Sequence, residues 1–265
     1  MTTPLSKGRA LATVALFWAL YLGILYLASF PKVMVPGGYR DLVWGALSSA
    51  LLIGVTWFIL RREGRSPEEV GLVATPKSGR ELGTGLLLGL GIYLLTMVAV
   101  NFIAEPLSLE PTGNGTLLGG SLALVSFLAL AVMEEVGFRG YPLRTLVPAI
   151  GFWPAQIIVA VAFALCHRLF GWGWETIAYG VLPNAILFGM AATATRGLAF
   201  PIGLHAALNL AAWSVNAKDT PGIWSLVIPN IVGSSVGPVA VNASVVITLG
   251  AAGIIWWYGR RRTAP

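Results

Sequence analysis

"LALAVMEEVGFRGYP", residues 128–142, sets two adjacent glutamates, Glu134 and Glu135, and an arginine, Arg139, inside a run that otherwise reads as the interior of a membrane helix. The composition around it identifies the solvent. Of 265 residues, 56% are hydrophobic and 11% charged, and mean hydropathy is +0.78, whereas a soluble domain carries roughly 25% charged residues. The fold class that follows is all-α, a polytopic membrane helical bundle. A span needs about 20 apolar residues to cross about 30 Å of hydrocarbon. Eight runs qualify, at 10–30, 41–60, 81–103, 117–136 with a continuation toward 147, 152–168, 176–195, 198–215 and 239–258. The first is too long and uniform for a signal peptide. Neither Met1-Thr2 nor Arg262-Thr263-Ala264-Pro265 reads as a lipidation signal, so a multi-pass protein of the cell membrane is expected.

Basic residues orient the spans. With the N-terminus in the cytoplasm, 13 of the 17 Lys and Arg residues lie on the cytoplasmic side, and both termini are expected there. Lys32, Arg40, Arg168 and Lys218 remain outside. The net charge of +6 is thus a topology signal, and no basic stripe with interleaved aromatics points to nucleic acid. Three units are expected: 1–116, membrane helices with a cytoplasmic insert at 61–80; 117–215, a core; and 216–265, a loop and a last membrane helix. In the insert, Ser66-Pro67-Glu68-Glu69 has capping-box spacing with proline at the first helical position, predicting a short interfacial helix. Residues 104–116 read as an outer loop, and 217–238 as a longer one that dips back toward the bilayer. No internal repeat supports a transporter built from inverted halves. The single Cys166 excludes an intramolecular disulfide and a multi-cysteine zinc site. Trp153, Trp172, Trp174, Trp256 and Trp257 fall near span ends, as in an aromatic belt.

A charge at mid-membrane costs roughly 2.5–3.5 kcal/mol, so Glu134, Glu135 and Arg139 left alone would cost on the order of 8–10 kcal/mol. Glu135 and Arg139, at i and i+4 with the acid first, can pair on one helix face. Glu134 lies about 100° around the helix and has no neutralising neighbour in sequence. Solvation at the cytoplasmic mouth is the plain alternative for all three. The chain's two histidines bear on that choice. "FALCH", residues 163–167, ends with His167 late in the fifth span, and "HAALN", residues 205–209, puts His205 and Asn209 on one face of the seventh. Singly, each suits a packing or helix–helix role. Together, two histidines, an asparagine and an unpaired glutamate are the parts of a buried polar reaction centre.

Glu134-Glu135-x-x-x-Arg139, Phe163-x-x-x-His167 and His205-x-x-x-Asn209, in this order on successive helices, resemble the motifs of the CPBP family of intramembrane proteases, which includes the CAAX prenyl endopeptidase and the bacterial Abi-type proteins. The resemblance covers about 117–215. "PEEVGL", residues 67–72, is similar to the lead-in to that core. The resemblance implies an endopeptidase acting on a peptide or membrane-protein substrate. Glu134 would be the general base, His167 would hold the water, and His205 and Asn209 would stabilise the oxyanion. Glu135, Arg139 and Phe163 would be structural, and no cofactor is implied.

A zinc site on Glu134, His167 and His205 is the metal alternative. It is disfavoured because the histidines lie on different helices and no HExxH pair is present. Depth raises a further requirement. At 1.5 Å per residue, His205 is about 11 Å and His167 about 23 Å from the inner ends of their spans, so a common centre needs tilted or displaced helices. Two other classes use the same residues: a non-catalytic scaffold or immunity protein of this fold, and a proton-coupled transporter, which Pro183-Asn184 in the sixth span suits. Cys166 and His167 are adjacent and point about 100° apart, so they do not read as a nucleophile–base pair. Nothing in the sequence names a substrate or an oligomeric state.

Overall fold

The structure is a computed structural model that describes residues 5–218, 220–227 and 234–263. It is a helical bundle. Its elements are α1 (Lys7–Val33), α2 (Arg40–Glu63), α3 (Ser78–Ile103), α4 (Leu117–Glu135), α5 (Tyr141–Ile150), α6 (Phe152–Leu169), α7 (Trp174–Thr176), α8 (Leu182–Thr195), α9 (Ala199–Ser214) and α10 (Val236–Thr263). Among the described residues, seven helical segments are long and apolar enough to cross a membrane. The eighth expected span is α9. Its 16 residues reach only about 24 Å at 1.5 Å per residue, short of about 30 Å of hydrocarbon. It need not cross unaided, because α3, α4 and α8 pack around it and Leu204, Ala206 and Ala207 are fully buried.

The seat of α9 is cut by small residues. A Cβ at Gly85 or Gly89 of α3 would meet the backbone of Phe200 and Leu204, and one at Gly203 would meet Leu82 and Leu86. Backbones approach closely where such residues face each other. That approach sets the height of His205, two residues beyond Gly203.

The fourth span runs on, as the longer reading of it required, over Leu117–Ile150. Between α4 and α5 lies a π turn, Val136–Gly140. Pro142 has no N–H and would crowd the carbonyl four residues back. The wide turn and the non-helical ψ of −109° at Gly140 relieve that conflict, a cause of helix distortion often found at functional sites. A second π turn, Ile177–Val181, precedes Pro183 in the same way.

The insert forms one 3-10 turn, Pro67–Val70, closed by the expected capping box. The segments 104–116 and 217–238 are not simply loops. β1 (Ser108–Pro111) and β2 (Trp224–Val227) pair antiparallel, with Ser108 opposite Val227, and make a ribbon at the end of the bundle where α4 begins. The remainder of the expected re-entry, residues 228–233, lies outside the described residues.

Candidate active site

Glu135 is the last residue of α4 and Arg139 lies in the π turn. Both side chains are fully buried, and Arg139 Nη1 donates to Glu135 Oε1 at 3.2 Å. Two unlike charges in low dielectric need further hydrogen bonds to hold each other, and here that need is met in part: Arg139 Nε and Glu135 Oε2 have no partner among the described residues. Arg139 Nη2 donates to the carbonyl of Ala185 at 3.2 Å, and Gln156 Nε2 donates to the same oxygen at 3.1 Å. The guanidinium also lies 4.4 Å from the Phe163 ring and 5.3 Å from the Phe188 ring, where a desolvated cation is stabilised by the ring quadrupole. Phe163 of the FxxxH motif therefore faces the cation, and it touches the His167 ring as well, at 4.5 Å.

Glu134 has a neighbour that its own helix could not supply. His205 of α9 stands between the two glutamates, with Nδ1 2.9 Å from Glu135 Oε1 and Nε2 3.6 Å from Glu134 Oε2. A carboxylate paired with arginine only accepts, so Nδ1 carries the hydrogen and Nε2 faces Glu134. Phe188 stacks on the imidazole at 4.4 Å and fixes its plane. Glu134 Oε2 is buried without a hydrogen-bond partner among the described residues, yet the side chain keeps 19% of its surface exposed toward the cavity.

His167 is oriented by the same logic. Its Nδ1 lies 2.9 Å from the Phe163 carbonyl, which can only accept, so Nε2 is left with a lone pair. Trp172 packs edge-on against the ring at 4.9 Å. Asn209 Oδ1 accepts from Lys218 Nζ at 2.8 Å, which leaves Nδ2 as the donor of that amide. Cys166, buried beside them, is a free thiol.

Glu134, His167, His205 and Asn209 line one cavity of about 360 Å³. The two depths that the sequence set apart converge on Phe163, whose ring lies 4.5 Å from that of His167 and 6.3 Å from that of His205. A smaller adjoining cavity, about 130 Å³, shares His167, His205 and Asn209 and adds Asn184. A larger cleft of about 660 Å³, at the opposite end, is lined by Arg80, Glu81 and Arg196 and contains neither histidine.

Sequence reasoning missed Phe188, Trp172, Lys218 and Gln156. Gln156, a lone amide in an apolar helix, was the one with a readable signal. The others are ordinary aromatics and a loop lysine whose roles come from packing. Among the described residues, no group of three or more His, Cys, Asp or Glu side chains is disposed to hold a metal ion. The alternative set Glu134, His167 and His205 lines the cavity without forming such a group.

Comparison with known proteins bears on this constellation. No curated protein matches the chain. One family model does, described as type II CAAX prenyl endopeptidase Rce1-like. It spans every motif residue from Glu134 to Asn209, and the match supports intramembrane endopeptidase activity. Over residues 117–211 this multi-pass membrane chain matches the Rce1-like type II CAAX prenyl endopeptidase family, consistent with a CPBP family intramembrane protease.

Proposed function

We propose that the protein is an intramembrane endopeptidase of the cell membrane that hydrolyses a peptide bond with water activated by Glu134. The observation that carries this reading is that four polar side chains from three helical segments line one cavity, with the Nε2 atoms of both histidines left for it. Water accepted by Glu134 and His167 Nε2 attacks the carbonyl carbon, and its proton passes to the Glu134 carboxylate. The oxyanion takes a hydrogen bond from Asn209 Nδ2. His205 Nε2, 3.6 Å from Glu134 Oε2, is a second resting place for the proton and donates to the oxyanion when it holds it. Collapse breaks the C–N bond, and the proton leaves on the amine. Glu135, Arg139 and Phe163 hold the frame and touch no substrate.

The substrate is a peptide or a membrane-protein segment. No metal step is needed, since Glu134 and the histidines account for each proton.

The experiment compares new protein N-termini in membranes of cells expressing the wild type, Glu134→Gln or His205→Ala at matched levels. Cleavages present only with the wild type are expected. Identical termini in all three, with each protein stably inserted in cells that also carry the cut sequence found with purified enzyme, would overturn the reading.

A further inference from the structure

The cavity runs toward one end of the bundle, and the distribution of charge tells which face of the membrane that end meets. From Glu134 and His205 the lining runs to Lys32 at the end of α1, Asp41 at the start of α2, Trp172 beyond α6 and Thr220 beyond α9. All four belong to the end of the bundle that carries the β ribbon. The other end carries the charge. With the buried Arg139 set aside, twelve of the remaining sixteen Lys and Arg residues lie toward that end: eleven at or beside the starts of α1, α3 and α9 and the ends of α2 and α10, and Arg144 within α5, bonded to the Ala192 carbonyl near the end of α8. The mouth end has four: Lys32, Arg40, Arg168 and Lys218. The connections involved are short, the condition under which excess Lys and Arg hold an end in the cytoplasm.

We infer that the catalytic cavity opens at the extracytoplasmic face of the membrane, so that its substrates are peptide segments presented from outside the cytoplasm. The inference rests on the proteolytic reading for the word substrate, but the geometry of access does not. A tail arriving from the cytoplasmic leaflet meets the basic end, where the large cleft holds Arg80, Glu81 and Arg196 and no catalytic group. At the mouth the rim is nearly balanced in charge, with Lys32 paired to Asp41 at 3.6 Å and lying 4.3 Å over the Trp44 ring. A peptide there meets aromatic surface and a paired charge rather than a cationic wall.

The test uses the full-length protein in cells with Cys166→Ala as background and three single-cysteine reporters. Thr220→Cys and Asn114→Cys are exposed at the mouth end, and Gly79→Cys is exposed at the basic end. A charged, membrane-impermeant maleimide is added to intact cells and to opened membranes. Both mouth reporters should react at least about tenfold faster than Gly79→Cys in intact cells, with Gly79→Cys reacting only once the membrane is opened. Equal or reversed reactivity overturns the inference; two mouth reporters guard against a local folding fault in either. Labelling requires no turnover. A reversed pattern in a protein that still cleaves leaves proteolysis standing, and the expected pattern in a protein that never cleaves removes only the proteolytic reading.

Discussion

Replacing Glu135 by Gln tests the proposed division of labour between a structural Glu135 and a catalytic Glu134. Gln keeps an oxygen that accepts from His205 Nδ1 and removes only the negative charge facing Arg139. The arginine, fully buried, is then left with the Ala185 carbonyl and the Phe163 and Phe188 rings. Removing one partner of a buried ion pair costs about 3–5 kcal/mol, and the ring contacts, present in wild type and variant alike, offset none of it. A loss of that size is expected. Glu134→Gln breaks no hydrogen bond among the described residues, His205 Nε2 standing 3.6 Å from Oε2, and should cost under about 1 kcal/mol. The double change Glu135→Met with Arg139→Leu removes both charges and leaves His205 Nδ1 unmet, a penalty of about 1–3 kcal/mol, and so should be no worse than Glu135→Gln alone. Denaturant unfolding in detergent micelles, followed by tryptophan fluorescence, reads all three. Cleavage, by contrast, should vanish in Glu134→Gln although the protein folds. Equal destabilisation by Glu134→Gln and Glu135→Gln would refute the division of labour, as would a Glu135→Gln variant within 1 kcal/mol of wild type.

Lys218→Met releases the Oδ1 atom of Asn209 and should lower kcat about tenfold with KM nearly unchanged. Asn209→Ala, which removes the donor itself, should lose about 10²–10³-fold, and steady-state kinetics on a peptide identified from the N-termini separate the two. Gly89→Leu should wedge α3 from α9 and lift His205 off Glu135, seen as loss of both expression and unfolding cooperativity. The Glu69 carboxyl is held below its ordinary value by the Ser66 backbone N–H and by Arg65. Its contribution is therefore present at neutral pH and lost as pH falls through the lowered value, so amide protection at 66–70 should weaken in acid and lose that dependence in Glu69→Gln. Elemental analysis of the purified protein should find no stoichiometric metal. A metal that is present in the wild type and lost in His167→Ala would move Glu134, His167 and His205 into a ligand role.

The site was partly legible because a membrane makes polar residues conspicuous. Glu134, Glu135, Arg139 and the two histidines stood out against apolar helices, and the i,i+4 spacings of Glu135–Arg139 and His205–Asn209 named which side chains share a face. The pairing of Glu135 with Arg139 follows from that spacing, even though the intervening turn is π and not α. The insertion of His205 between both glutamates does not. It depends on the height of α9, which Gly85, Gly89 and Gly203 determine through backbone contact. The short α9 was read as a full span for a related reason: hydropathy registers an apolar run but not whether lipid or other helices surround it.

By itself the sequence determined the solvent, the number of long apolar segments to within one, the order of the motifs and the basic end of the bundle. These rest on composition and local periodicity, which need no knowledge of neighbours. Only the tertiary structure decided which nitrogen of each histidine is held, that Phe188 stacks on His205 and Lys218 bonds Asn209, and toward which end the cavity runs. Those are matters of packing between segments far apart in the chain, where a shift of one helical turn moves a side chain by about 5 Å.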